Sequence, residues 1–259
     1  MAIHIEKLGR EDDAAQNLVL IHGWGSNGAI WQSLVKKLGK HFALHLIDLP
    51  GAGMSAPIEP FHLFSVAEQV ADILPANADL IGWSLGGQVA MRIALDKPDL
   101  IRRLVLIAST PKFVRHETWQ TGVEARIFHE FADAVNRDYQ KTMLQNITLQ
   151  CMGAKDARDT IKVLRKKFEE RPPANTQAIL KSLQILLDTD LREEIPLLRK
   201  PTLLIHGDRD NLVPLQAGHW MVQHLPAGFL RVISGAAHAP FLSHQDQFVE
   251  TLVEFLEPA

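Results

Sequence analysis

The sequence predicts a doubly wound α/β fold, a mostly parallel central sheet flanked by helices, with one helical insertion. Three observations predict it. Six short apolar runs end in turns rich in glycine, aspartate or serine. Helix-patterned segments lie between several of these runs. One long charged interval, residues 112–190, lacks a convincing buried strand and interrupts the alternation. The chain has 259 residues, of which 46% are hydrophobic. That length suits a single α/β domain, and that composition can bury a sizeable core.

The runs come in a regular order. Leu18, Val19, Leu20 and Ile21 lead into His22-Gly23-Trp24-Gly25. Residues 42–47 lead into Asp48-Leu49-Pro50-Gly51. Leu80 and Ile81 lead into Gly82-Trp83-Ser84. Residues 104–108 lead into Ser109-Thr110-Pro111, residues 202–205 into His206-Gly207-Asp208, and residues 229–233 into Ser234-Gly235. Near-continuous apolar runs of this length suit strands buried on both faces of a parallel sheet. Between them, Ile30, Trp31, Leu34, Val35 and Leu38 recur at helical spacing, as do Val89, Ala90, Ile93 and Ala94. Ser65 is expected to cap a helix running to Leu74, with Glu68 completing a capping box. Residues 248–256 are expected to form a closing helix. Residues 1–111 and 191–259 are then expected to form the core. Residues 112–190, broken near Gly153 and Arg171-Pro172-Pro173-Ala174, form a helical insertion. Its ordinary role would be extra packing; its functional role would be a lid over a site.

Composition narrows the function classes. The formal net charge is −3, which gives no global reason to expect a nucleic-acid partner. Cys151 is the single cysteine, so no internal disulfide can form and no oxidising compartment is needed. The N-terminus lacks the pattern of a signal peptide, and no apolar run approaches the roughly 20 residues of a membrane span. A cytoplasmic monomer without membrane association is expected. No metal-ligand spacing or phosphate-binding glycine loop is found, so no metal and no cofactor is expected.

The chemistry concentrates in three places. Gly82-Trp83-Ser84-Leu85-Gly86 is a G-x-S-x-G sequence lying between an expected strand and an expected helix. In that setting it forms a nucleophile elbow, a sharp turn that exposes the serine and aims a helix N-terminus at developing negative charge. Without that setting it would be only a glycine turn. A serine hydroxyl needs a base to accept its proton. Among the 12 histidines, His238 follows the last expected strand, and the order nucleophile, acid, histidine favours it over His22, His206 and His244. The acid lies in Gly207-Asp208-Arg209-Asp210. Asp210 is assigned, and Asp208 is expected to brace the turn instead. The oxyanion donors are expected to be the backbone N–H groups of Leu85 and Trp24.

Taken together, these motifs resemble the α/β-hydrolase family over nearly the whole chain. Asp48-Leu49-Pro50-Gly51-Ala52-Gly53-Met54-Ser55 and Gly235-Ala236-Ala237-His238 belong to the match. A closer resemblance is to the pimeloyl-acyl-carrier-protein methyl ester esterases, through His22-Gly23-Trp24-Gly25, Gly82-Trp83-Ser84-Leu85-Gly86-Gly87, Leu149-Gln150-Cys151-Met152-Gly153 and Ala236-Ala237-His238-Ala239-Pro240-Phe241. The resemblance implies a serine carboxylesterase of biotin biosynthesis that forms an acyl-enzyme on Ser84, with His238 and Asp210 completing the triad. It implies that Trp24 and Leu85 contact substrate. It implies that Asn146, Ile147, Thr148, Leu149 and Gln150 line the acyl channel, and that Lys141, Arg158 and Lys162 meet an acidic acyl-carrier protein. Gln145 stands where the family pattern has an arginine, and Asn146 where it has an aromatic. Three other readings stay open at this point: a general short-chain carboxylesterase, a carbon–carbon bond hydrolase of the same fold, and a non-catalytic binding protein.

Overall fold

A computed structural model describes residues 3–12, 14–154 and 157–257. Seven strands form one sheet in the order β1-β3-β2-β4-β5-β6-β7. They are β1 (Ile5–Gly9), β2 (Gln16–Ile21), β3 (Phe42–Ile47), β4 (Ala78–Trp83), β5 (Ile101–Ile107), β6 (Thr202–Gly207) and β7 (Gly228–Ile233). In this sheet, among the described residues, the β1–β3 pairing is antiparallel and the other five are parallel. The six apolar runs are the six parallel strands. Every residue of β4 and β6 is buried, which is why those runs are continuous rather than alternating.

Edge strand β1 was not legible in the sequence. Its residues Ile5-Glu6-Lys7-Leu8-Gly9 are only half-buried or exposed. Such a strand has no continuous apolar run to announce it.

Helices pack on both faces. Those of the core are α1 (Gln32–Leu38), α2 (Leu63–Ala71) and α3 (Leu85–Asp96), then, beyond the insertion, α8 (Leu215–His224), α9 (Pro240–Ser243) and α10 (Gln245–Leu256). The start of α2 corrects the expected cap. His62, not Ser65, is the N-cap: its ring nitrogen accepts from the Ser65 N–H, while the Ser65 hydroxyl accepts from the His62 N–H. The box is real but one turn earlier, because a histidine supplies the acceptor that capping rules seek in serine.

Between β5 and β6 the chain makes four helices of thirteen residues each, α4 (Ala125–Arg137), α5 (Tyr139–Cys151), α6 (Ala157–Glu169) and α7 (Thr176–Asp188). They are tied to the core at definite points. Arg171, between α6 and α7, pairs with Glu6 of β1 and lies 3.5 Å from the buried carboxylate of Asp48. The Asn175 N–H donates to the Gly51 carbonyl at 2.9 Å. Among the described residues, no helix is long and apolar enough to cross a membrane.

Candidate active site

β4 ends at Trp83 and α3 begins at Leu85, leaving one residue for the turn. Ser84 makes it with φ 56° and ψ −118°, a conformation that L residues avoid. The strain is held from several sides. The Ser84 N–H donates to the Ile107 carbonyl at 2.9 Å, and the Ser109 hydroxyl donates to the Ser84 carbonyl at 2.8 Å. The flanking glycines are required by space. A Cβ on Gly82 would lie 2.3 Å from the Gly86 carbonyl oxygen, and one on Gly86 would lie 2.5 Å from the His22 carbonyl oxygen. The turn therefore lifts the Ser84 side chain away from the sheet at the start of α3.

Two loops from distant parts of the chain meet it. His238 Nε2 lies 3.0 Å from Ser84 Oγ, and His238 Nδ1 lies 2.8 Å from Asp210 Oδ2. With Nδ1 protonated, the ring donates to Asp210 and accepts the serine proton at Nε2. The other oxygen of Asp210 accepts the N–H groups of Leu212 at 2.8 Å and Val213 at 3.0 Å. Asp210 is thus held by three donors and is buried. The backbone of His238 is fixed as well: its carbonyl accepts the Trp83 indole N–H at 2.7 Å, and its N–H donates to the Gln150 carbonyl at 3.1 Å.

The competing residues lie elsewhere. Asp208 accepts the Gly235 N–H at 2.7 Å and the Ser234 hydroxyl at 3.0 Å. The Gly235 N–H holds its carboxyl below the usual range. It braces the loop that presents His238 and does not touch the ring. His22 donates from Nδ1 to the Gly23 carbonyl at 2.8 Å and accepts the Leu49 N–H at Nε2, 2.9 Å away. Burial lowers its pKa, so the neutral ring is a fixed strut between two turns. His206, buried on β6, has no partner for either ring nitrogen among the described residues, and burial pushes it down to about 4. His244 contacts the hydroxyl of its neighbour Ser243. The thiol of Cys151 is buried and pushed up to about 12 by that burial, so it supplies no thiolate near neutral pH.

A cavity enclosing about 530 Å³ out to its mouth opens above Ser84 and His238. Its walls are largely insertion residues, among them Ile127, Phe128, Phe131, Leu183 and Leu186. Trp24 forms part of the wall. Its indole N–H donates to the Ile179 carbonyl of α7 at 3.0 Å, and its ring meets Phe131 edge to face. Leu85 opens α3, so its N–H belongs to the orphan donors of a helix start. A second space of about 380 Å³ lies along Trp24 and Leu85.

The stretch expected to line the channel does so only in part. Asn146 and Gln150 face the cavity. Ile147 packs into a core cluster with Cys151 and Leu164. Thr148 is exposed and its hydroxyl donates back to the Leu144 carbonyl, and Leu149 is half-buried outside the cavity wall. The correction follows from helix geometry: in α5, residues four apart share a face, and five consecutive residues cannot. Lys141, Arg158 and Lys162 are exposed on α5 and α6. Arg158 and Lys162 line a shallow depression with Ile161, Arg165, Lys166 and Glu169.

The family model for the alpha/beta hydrolase fold matches residues 16–245. A pimeloyl-[acyl-carrier protein] methyl ester esterase of Nitrosomonas europaea is 41% identical over 96% of this chain and 97% of its own. Proteins of the same name from Vibrio vulnificus and Aeromonas salmonicida are 37% and 38% identical, covering 98% and 99% of this chain and 97% and 100% of theirs. Among solved structures, a bromoperoxidase from Bacillus anthracis superposes with a TM-score of 0.89 at 25% identity, covering 99% of this chain and 95% of its own. An esterase from Exiguobacterium antarcticum does so with a TM-score of 0.87 at 22% identity, covering 98% and 94%.

Proposed function

The chain belongs to the alpha/beta hydrolase family, and we infer that it is a carboxylic ester hydrolase that cleaves the methyl ester of pimeloyl-acyl-carrier protein in biotin biosynthesis. The observation that supports this most is the full-length identity of about 40% to esterases of that name. Ser84, His238 and Asp210 are the residues we assign to the reaction. The hydrogen-bonded chain from Ser84 Oγ through the imidazole to Asp210 supports that assignment.

In this mechanism Ser84 Oγ attacks the methyl ester carbonyl while His238 Nε2 takes the hydroxyl proton. Asp210 holds the ring in the tautomer that can accept it and stabilises the resulting cation. The tetrahedral oxyanion is received by the N–H groups of Leu85 and Trp24. Collapse expels methanol, which takes its proton from His238, and leaves an acyl ester on Ser84. Water, deprotonated by the same imidazole, then releases the free carboxylate and restores Ser84.

The carrier protein is assigned to the surface of α5 and α6. Lys141, Arg158 and Lys162 stand exposed there. They belong to a positive stretch that also includes Arg137, Arg165, Lys166 and Lys167, against Asp138 and Asp159. Lys155 and Asp156 of the same stretch lie outside the described residues. We take residues 112–190 to be the lid and the enzyme to be a cytoplasmic monomer with no nucleic-acid partner.

Growth rescue tests this reading against a general short-chain esterase. The chain is expected to restore growth without biotin to a strain that lacks its own methyl esterase. Ser84→Ala should abolish the rescue while the protein still folds, because removal of the attacking oxygen costs on the order of several powers of ten in rate. A wild-type chain that hydrolyses small esters but fails to rescue would leave only the general esterase.

A further inference from the structure

The cavity above Ser84 is walled mainly by hydrocarbon, yet α5 places two primary amides in it. Asn146 and Gln150 stand one helical turn apart and both line the cavity beside Ser84 and His238. Their exposures are 8% and 7%. Neither side chain has a hydrogen-bond partner among the described residues, and their polar atoms are not among the sealed, unbonded ones, so they open on the cavity. The two residues have definite neighbours. The Gln150 main-chain carbonyl accepts from the His238 N–H, and a Cβ on Gly25 would lie 3.6 Å from Asn146 Nδ2. The Gln150 backbone therefore braces the loop of the base, and the Asn146 amide flanks the loop that carries Trp24.

Amides that open on a cavity forfeit their hydration when an apolar group fills it and offers them no partner. Leucine or methionine would fill the same wall without that cost. A pair of unpartnered amides facing one cavity is instead suited to a bound molecule that brings its own acceptors. The carbonyl attacked by Ser84 is already served by the donors of Leu85 and Trp24. The natural partner for the amides is a further carbonyl in the same substrate.

We propose that Asn146 and Gln150 form a polar subsite that hydrogen-bonds a second carbonyl group, ester, thioester or amide, borne by the acyl chain of the substrate. The subsite selects methyl esters of dicarboxylic chains over plain fatty esters. It rests on the proposed methyl esterase reading and deepens it: in the carrier-linked substrate the second carbonyl is the thioester. A plain alkyl chain of equal length would bury both amides with nothing to bond them, and a site built for a hydrogen bond discriminates against an analogue that lacks it.

The test uses two small methyl esters of matched length, dimethyl pimelate and methyl nonanoate, with the full-length enzyme. The ratio of their kcat/KM values is measured for the wild type and for the Asn146→Leu/Gln150→Met double variant. The double variant should lower the preference for dimethyl pimelate by about tenfold or more. It should lose on the dicarbonyl ester, mainly through KM, and gain on the plain one. The single variants should each give part of the change, and they keep the test available if the double variant fails to fold. An unchanged ratio in an active, folded variant overturns the subsite and leaves the esterase reading standing, as does an equal gain or an equal loss on both esters. Hydrolysis that survives Ser84→Ala, or no hydrolysis of either ester by the wild type, overturns both.

Discussion

The carboxyl edge of the sheet and the four-helix insertion share one cavity but are built on different principles. At the sheet edge, Ser84, Asp210 and His238 are buried, and each is tied to backbone groups by hydrogen bonds of 2.7–3.1 Å. Strands β4, β5 and β6 beneath them are almost wholly buried. In the insertion, α4 buries only two residues of thirteen, α5 six and α7 five, and the cavity wall is a set of side chains projecting from these three helices. Bond-making needs atoms fixed to fractions of an ångström, which a buried sheet supplies. Recognition needs a surface that can differ between substrates, which helices outside the sheet on one tethered frame supply.

The sharpest way to break this comparison lies within a single loop of the core. Asp210→Asn should keep the geometry but present the wrong hydrogen-bonding pattern to the imidazole, lowering kcat by up to about four powers of ten. Asp208→Asn, two residues away, should change kcat by less than about tenfold, since that side chain meets Ser234, Gly235 and Arg209 but not the His238 ring. Steady-state kinetics on a small soluble ester decides it. A larger loss at Asp208 would mean that position along the chain, rather than contact with the ring, had been misread.

A smaller effect should appear when the insertion alone is altered. The triple change of Lys141, Arg158 and Lys162 to Glu is expected to raise KM for the carrier-linked methyl ester by about tenfold or more at low salt. Turnover of a small ester should be almost unaffected. The difference should shrink as salt rises, because the Debye length falls to about 3 Å at 1 M. Equal losses on the two substrates would show a damaged wall rather than a lost docking surface.

The smallest effect concerns acid stability and belongs to the core. His206 and His22 are buried with lowered pKa values, so below the ordinary histidine pKa the unfolded chain binds protons that the native state refuses. Stability should therefore fall as pH drops. For His206 the window runs from 6.5 down to about 4, with a slope approaching about 1.4 kcal/mol per pH unit for each such group. Urea unfolding at pH 7.5, 6 and 5 should show a shallower decline for His206→Asn than for the wild type. Parallel declines would remove His206 from this role.

Much of the site was legible because its signals are local. A G-x-S-x-G sequence between an apolar run and a helical pattern can do little except turn sharply, and small residues before His238 announce a tight loop. What stayed hidden depends on neighbours distant in sequence. β1 is recognisable only by its pairing with β3. The cap of α2 depends on how the His62 ring is turned. Ile147, Thr148 and Leu149 share a motif with Asn146 and Gln150 but lie on other faces of α5.

By itself the sequence determined the alternation of strands and helices, the place of the insertion and the order of serine, acid and histidine, because hydrophobic period and turn chemistry act over a few residues. Only the tertiary structure decided which aspartate meets the histidine, which histidines are struts, and that two amides of one helix face the same space as Ser84. Those outcomes depend on distances of about 3 Å between residues up to 154 positions apart. Such distances are set by how the sheet edge, the loops and the insertion pack together, and no local pattern in the chain encodes them.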